Sequence, residues 1–313
     1  MRPSIRNSVS LDSHARFQIE DVAKAGLPVT NVIVVADGDA EKAWMEAVTS
    51  KIGDWRAFVR SVYIRWAITI NAMHVAEARY RNQPLALTVN TLRMENGTLG
   101  NKLLKAWPGP EAADAYAQGL SLIPAYAIVD LYGALEEIVF DFYEVYLRHH
   151  PKPLLEGAEF RELRRLHARR NSSADAEAEW RSAWDVRFEK WRRKRSYDSL
   201  YAVFRALFVE AGLKRPQHFK DTDLADWCRT IEMVGELRHL ITHGEAVASK
   251  KLGELSTGKT RATFDFKEGE EIRVLLHHVQ GVELFADQLL TTINISICEK
   301  AWGEAWTPPA DLI

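Results

Sequence analysis

Two side chains with the chemistry to cleave a phosphodiester lie five positions apart near the end of a predicted helix. Arg238 and His243 belong to the segment ELRHLITHG, in which Gly244 follows an apolar-periodic run. A guanidinium stays charged and can hold a phosphate through two hydrogen bonds. An imidazole can move a proton near neutral pH. Together they indicate metal-free cleavage of RNA, with the 2′-hydroxyl as nucleophile.

The spacing alone carries little information. The same Arg-x4-His pattern recurs at Arg273 and His278, and with 10 histidines in 313 residues about one such pair is expected by chance. The plain alternative is a helix end where Arg and His bond the last carbonyls and complement the helix dipole. The position of the pattern in the fold therefore has to decide between the two.

Residues 224–243 are predicted to form the helix that carries the motif. Its apolar side chains recur every three or four positions, and Gly244 is a typical left-handed cap. A second strong helix begins at Pro124 and carries Glu136 among its apolar residues. That apolar stripe comprises Ile128, Leu131, Leu135, Ile138, Phe142 and Tyr146.

The breaker at 107–110, Trp-Pro-Gly-Pro, divides the chain into predicted regions. Residues 1–110 are expected to form an N-terminal helical region with an extended arm, followed by a helical bundle at 111–302 and a tail at 303–313. We predict an all-α fold with three further features. They are a long buried helix at 54–81 followed by helix at 85–106, a charged helical insertion at about 151–196, and a small β-hairpin at 260–274 before the last helix.

The bundle resembles the HEPN superfamily of helical-bundle ribonucleases. Its predicted third core helix ends in R-H-x3-H-G, so Arg238 matches the arginine of the HEPN motif, His239 the polar position and His243 the terminal histidine. The segment 132–138, YGALEEI, is similar to the first core helix of that family, in which a Leu-Glu pair faces the active site. On this resemblance Glu136 orients Arg238.

The resemblance implies a metal-independent, cofactor-free endoribonuclease that leaves a 2′,3′-cyclic phosphate. It implies a homodimer with a composite active site and, since such families often act as toxins or antiviral effectors, restraint by an antitoxin or another regulatory partner. Helix geometry agrees, because Arg238 and His243 lie about 140° apart around an ideal helix. The alternative is a catalytically inactive HEPN-like module that binds RNA, a nucleotide or a protein partner.

A basic segment gives a second local signal in a chain whose formal charge is −2. Residues 161–195 hold twelve Lys and Arg against six acids, and three tryptophans interleave them. These tryptophans either lie buried beneath a solvated face or stack on bases. The predicted RNA contacts are Arg192, Arg193, Lys194 and Arg195.

Lys259 is a further predicted RNA contact, in a Gly/Lys loop. Residues 253–260 match the phosphate-loop pattern GxxxxGK[ST], but no buried strand precedes them and no helix is predicted to follow, so we reject a nucleotide hydrolase. A competing metal site would use His239 and His243 with His277 and His278. We expect no metal, because no HExxH motif or cysteine cluster accompanies them.

The cysteines and the distribution of apolar residues argue against a secreted, disulfide-bonded protein and against a membrane protein. Cys228 and Cys298 each lie in an apolar pattern and are expected to be core thiols. The first residues lack the apolar stretch of a signal peptide, and no run of 18 apolar residues occurs. We therefore expect a cytoplasmic location and no membrane partner.

Overall fold

The computed structural model describes residues 31–195, 197–257 and 264–305. These residues are mostly helical, which confirms the all-α prediction at that level. The helices are α1 (Ala43–Thr49), α2 (Ile52–Asn82), α3 (Gly109–Gly119), α4 (Ile123–His149), α5 (Lys152–Leu155), α6 (Arg161–Arg169), α7 (Ala174–Arg195), α8 (Leu200–Glu210), α9 (Leu224–Thr242), α10 (Lys250–Ser256) and α11 (Leu276–Trp302). Two strands, β1 (Ala86–Glu95) and β2 (Thr98–Pro108), lie between α2 and α3.

Helix α4 lies at the centre of the core because most of its circumference is apolar. Ile128, Leu131, Leu135 and Ile138 are each at most 1% exposed, and full burial of such a side chain stabilises the fold by about 1.5–3 kcal/mol. Five helices pack around it, namely α1, α2, α8, α9 and α11. The few polar side chains of α4 therefore lie between helices or at the rim of the core.

The N-terminal elements pack on the same core as the bundle. Polar contacts join α2 to the bundle, with the Trp55 indole donating to Asp141 at 2.8 Å and Arg56 pairing with Asp287 at 3.2 Å. Residues 31–36 form no strand, but their backbone is held to the body, since Val32 exchanges two hydrogen bonds with the side chain of Asn294. The extended-arm interpretation fits this described part of the segment.

The prediction of a long buried helix at 54–81 is correct for its first half only. The helix exists as α2, and its first three turns are buried. Farther along, Ile68 is 57% exposed and Val75 is 67% exposed, because this half of α2 contacts α3 and extends beyond the bundle.

The predicted helix at 85–106 is wrong. The segment is an antiparallel hairpin in which Asn96 and Gly97 form a two-residue turn with φ of 50° and 78°. An Asn-Gly pair is the strongest short-range hairpin signal, since both positions need positive φ. The large apolar side chains of one face are 58–72% exposed, namely Leu92, Met94, Leu99 and Leu103.

The hairpin predicted before the last helix is also absent from the described residues 264–274. This segment pairs instead with the loop after α9, through a single β-bridge between Val247 and Glu271. Ala248 N–H donates to the Glu270 carbonyl at 2.8 Å, and Ile272 N–H donates to the Ala246 carbonyl at 2.9 Å. Residues 260–263 of the predicted first strand lie outside the described residues.

Candidate active site

The motif lies at the end of α9, whose two ends are both encoded locally. At the start, Asp223 and Asp226 each accept a hydrogen bond from the other's backbone N–H, which is a capping box. At the end, Gly244 adopts a φ of +73°. Its N–H donates to the Ile241 carbonyl at 3.2 Å and the Glu245 N–H to the Leu240 carbonyl at 3.0 Å, the pattern of a Schellman cap. The predicted helix end and its glycine cap are confirmed.

The carbonyls of the last turn are satisfied without the motif's side chains. The Thr242 hydroxyl bonds the carbonyls of Arg238 and His239, each at 3.0 Å. Arg238, His239 and His243 are all exposed, and their side chains make no hydrogen bond or ion pair with another described residue. Helix capping therefore does not account for these three residue types within the described structure.

The two histidines form an exposed imidazole pair. The ring centroids of His239 and His243 are 4.4 Å apart. This contact follows from their four-residue spacing, which puts both side chains on one side of the helix. Two imidazoles in one place can divide the roles of proton acceptor and proton donor.

Arg238 points to another helix. Its guanidinium carbon lies 5.9 Å from the centroid of the Tyr132 ring on α4, within the range of a cation–π contact. Tyr132 is half-buried, and its hydroxyl approaches Gly235, where an added Cβ would lie 3.0 Å from it. The small residue on α9 thus lets the tyrosine lie between α4 and α9 and support the arginine.

Glu136 lies one helical turn beyond Tyr132 on α4 and is half-buried. Burial raises the pKa of Tyr132 to about 12; the negative charge of Glu136 acts in the same direction and Arg238 against it. Tyr132 is therefore a neutral phenol at physiological pH. Glu136 and Arg238 thus both act electrostatically on the phenol of Tyr132.

Tyr132 is the residue of the candidate site that sequence reasoning did not single out. It lies within the segment compared with the first core helix of HEPN proteins, and its spacing from Glu136 could have indicated it. It precedes Glu136 by four residues, so the two had to share a helix face. Its contact with Arg238 depends on how α4 and α9 pack and has no counterpart in the local sequence.

The loop after the motif is held in place. Ser249 caps the start of α10 and donates to the Glu236 carboxylate at 2.8 Å. Lys251 pairs with Glu232 at 2.9 Å and approaches Glu236 at 3.7 Å. These contacts attach α10 to the outer face of α9, one turn before the motif.

The end of the basic insertion lies along the same face of α4. Trp191 packs edge-on against Tyr143, with centroids 4.9 Å apart, and the Arg192 guanidinium carbon lies 5.3 Å from the centroid of the Phe140 ring. Tyr132 and Tyr143 are eleven residues apart, hence about 20° apart around α4 and about 16 Å along it. Trp191 thus meets α4 on the side that carries Tyr132, while Arg192 meets it at Phe140, about 80° from Tyr132 around the helix.

The three tryptophans of the insertion are buried. Trp180, Trp184 and Trp191 are 9%, 2% and 8% exposed, and Trp184 stacks with Phe188 in the interior of the insertion. The base-stacking alternative is therefore wrong, and the tryptophans form the apolar side of α7.

Two of the predicted RNA contacts differ in their surroundings. Arg195 pairs with Asp198 at 2.9 Å, whereas Lys194 is exposed.

The competing sites receive no support from the described residues. They contain no group of three or more His, Cys, Asp or Glu placed to hold a metal ion. His277 is exposed, but His278 is 3% exposed and its Nδ1 accepts from the Leu275 N–H at 3.0 Å. Of these two histidines, His277 thus lies at the surface, whereas His278 closes the first turn of α11.

The described part of the segment that matches the phosphate-loop pattern, residues 253–257, begins inside a helix. Residues 250–256 form α10, so the glycine at 253 lies inside a helix and not in a loop after a strand. This supports the rejection of a nucleotide hydrolase. Lys259 lies outside the described residues.

Cys228 and Cys298 are free, buried thiols, as predicted. Burial raises the pKa of Cys228 to about 11 and that of Cys298 to about 12. Both are therefore protonated at neutral pH and act as small core residues.

Comparisons of the chain with family models, with curated proteins and with solved structures find no match. Among the described residues, no helix combines the length and the apolar character that crossing a bilayer requires.

Proposed function

We propose that this protein is a metal-independent endoribonuclease of the HEPN type, with its active site at the end of α9. The observation that carries the proposal is the exposed His239–His243 pair beside Arg238, which the helix cap leaves without a structural task. The charge and the proton carriers that RNA cleavage needs thus lie at the end of one helix, with Arg238 against Tyr132 and the two imidazoles paired with each other.

The proposed reaction needs no group beyond these side chains. One imidazole accepts the proton of the ribose 2′-hydroxyl, and the 2′-oxygen attacks the adjacent phosphorus. The bond from phosphorus to the 5′-oxygen breaks, and an imidazolium returns a proton to that oxygen. Arg238 stabilises the negative charge on the pentacoordinate phosphorus. The products are a 2′,3′-cyclic phosphate and a free 5′-hydroxyl.

Two protomers are proposed to share the site. Within one chain, the guanidinium of Arg238 contacts Tyr132 on α4, and positions 238 and 243 lie about 140° apart around an ideal helix. A second copy, related by two-fold symmetry, would bring its own His243 opposite Arg238. Two-fold contacts of this kind are the commonest arrangement in homo-oligomers.

Glu136 and Tyr132 are proposed to position Arg238 and not to react. A phenol whose pKa is about 12 does not serve as a base near neutrality. Its ring face and the nearby carboxylate can fix a guanidinium that would otherwise move freely in solvent. A fixed guanidinium is needed because electrostatic catalysis depends on groups that are already in place.

RNA is proposed to run from the motif along the end of α7. Arg192, Arg193, Lys194 and Arg195 belong to the last turn of that helix, which meets the same side of α4 as Arg238. Basic side chains in a row bind phosphates without reading sequence. The burial of the tryptophans removes base stacking but leaves the charged face of the insertion open to phosphates.

The proposal is tested with labelled RNA incubated with the full-length protein in EDTA. His243→Ala should slow cutting by about 10²–10⁴-fold, and Arg238→Ala by about 10²–10³-fold. The matched controls are Arg273→Ala, which removes the arginine of the second copy of the spacing, and His277→Ala, which removes the exposed histidine next to buried His278. Both controls should cut at the wild-type rate.

Equal cutting by the wild type and the motif variants would overturn the proposal. Cutting that disappears with the chelator and returns with a divalent cation would overturn its metal-independent chemistry. A wild-type protein that binds RNA but leaves it intact would instead favour the non-catalytic binding module.

A further inference from the structure

A cavity of about 630 Å³ lies where α4 ends and the chain turns through α5 into α6. Its lining consists of His149, His150, Pro151, Lys152, Leu155, Glu156, Arg164 and His167. His149 is 13 residues beyond Glu136, so the cavity lies about 20 Å along α4 from the proposed active site. It is therefore a separate site, of a size usual for small-molecule pockets.

The lining is rich in cationic and imidazole side chains. Five of the eight residues are Lys, Arg or His, and Glu156 is the single carboxylate among them. Lys152 is exposed and makes no ion pair with another described residue. The fold thus places an ammonium group at the cavity without a partner of its own in the described structure.

Arg164 is held rigidly, which leaves part of its guanidinium available. Its Nη1 donates to the carbonyls of Leu155 and Gly157, each at 2.6 Å. A guanidinium has five N–H groups, two of them on Nη1. Three donors remain on Nη2 and Nε, on a side chain whose position is already fixed. A preorganised donor group loses little entropy when it binds a ligand.

The histidines add further ring nitrogens. His150 Nε2 is buried and has no hydrogen-bond partner among the described atoms, which is costly for a polar atom unless a ligand or water satisfies it. His149 is bonded through Nδ1 to the Val145 carbonyl at 2.9 Å, which leaves its Nε2.

Burial keeps two of these imidazoles neutral. It lowers the pKa of His150, and His149 and Lys300 act in the same direction against Glu41. It also lowers the pKa of His167, with Arg170 adding to the effect. Lys152 and Arg164 are then the permanent charges of the cavity, and each neutral imidazole offers one N–H donor.

We infer that this cavity binds the phosphate group of a small phosphomonoester. Lys152 and the free edge of Arg164 face the dianion, and imidazole N–H groups complete its oxygen contacts. Pro151 and Leu155 supply apolar surface for the organic part of the ester. The inference does not rest on the proposed ribonuclease activity, because it uses other residues in another part of the fold.

The test is isothermal titration of the full-length protein with inorganic phosphate and with adenosine 5′-monophosphate at constant ionic strength. We expect saturable binding of both at one site per chain, with the ester bound more tightly. Lys152→Gln should weaken the binding of both by about tenfold, the effect of losing one charge-assisted contact. The control is Lys190→Gln, which removes the same charge from an exposed position on α7 outside the cavity.

Arg164→Gln is a second variant. Because it removes the two carbonyl contacts that hold the connection between α5 and α6, its folding is checked by circular dichroism. Lys152→Gln keeps the test decisive in that case. No saturable uptake of phosphate by the wild type, or equal weakening in Lys152→Gln and Lys190→Gln, overturns the inference. Phosphate bound as tightly as the ester overturns the part that assigns the organic group.

Discussion

The guanidinium of Arg238 lies over the ring of Tyr132, with 5.9 Å between the guanidinium carbon and the ring centroid. These residues are 106 positions apart in the chain and come from α9 and α4. The contact directs the arginine away from His239 and His243, which pair with each other. In the proposed site, this contact holds Arg238 against α4, and a second chain would supply the terminal histidine.

Two substitutions of Tyr132 should separate the contribution of its aromatic ring to cleavage from that of its hydroxyl group. Tyr132→Phe keeps the aromatic face and should retain RNA cleavage within about threefold. Tyr132→Ala removes a contact worth about 0.5–2 kcal/mol, so cleavage should fall by about 3–30-fold. Single-turnover rates measure both, with thermal unfolding as the control for folding. Equal rates in the alanine variant and the wild type would show that the ring does not position Arg238.

Mixing two inactive variants should restore activity if the site is shared between chains. Arg238→Ala and His243→Ala protomers, mixed equally and allowed to exchange, give heterodimers in half of the population. Each heterodimer holds one intact site of two, so about a quarter of wild-type cleavage should return. The measurement is the cleavage rate before and after exchange. A mixture that stays inactive while heterodimers form would place the complete site within one chain.

Removing charge from the end of α7 should weaken RNA binding in a salt-dependent way. The double variant Arg193→Gln/Lys194→Gln should lower affinity and reduce the slope of log K against log salt by about 1.4, that is, about 0.7 per single-strand phosphate contact. Fluorescence anisotropy at several salt concentrations measures this. The matched control is Arg165→Gln/Arg181→Gln, whose arginines belong to the same insertion and pair with Glu162 and Glu177. If both double variants changed the slope equally, no particular part of the insertion would bind RNA.

The buried His278 should make stability depend on pH. Burial lowers its pKa from 6.5 to about 4, and the neighbouring His277 acts in the same direction. The unfolded chain takes up the proton near pH 6.5, whereas the folded protein resists it until about pH 4. The contribution is therefore complete above pH 6.5 and is lost as pH falls towards 4, by at most about 3 kcal/mol.

Urea unfolding at pH 7 and pH 4.5 measures this loss against a His278→Gln variant. The variant is expected to be less stable at pH 7, where it loses the cap on Leu275, and to lose less stability on acidification. An equal loss in both proteins would mean that carboxylates alone cause the acid sensitivity.

The elements whose signals are local were predictable from sequence. The bounds of α9 follow from its apolar period, from Asp223 at its start and from Gly244 at its end. The hairpin at 86–108 is encoded just as locally, by Asn96-Gly97. The prediction of a helix there did not use this turn signal. The exposure of the second half of α2 could not be predicted from the sequence, because an apolar helical pattern does not show whether another helix covers that face.

The sequence by itself determined which helix carries Arg238, His239 and His243, and that the two histidines share a face. Only the tertiary structure decided that Arg238 meets Tyr132, that the tryptophans of α7 lie in the core, and that His278 is buried while His277 is exposed. The physical reason is the distance along the sequence between the residues that interact. Caps, turns and helix faces depend on residues within a turn or two, whereas burial and contacts between helices depend on how distant apolar faces pack together.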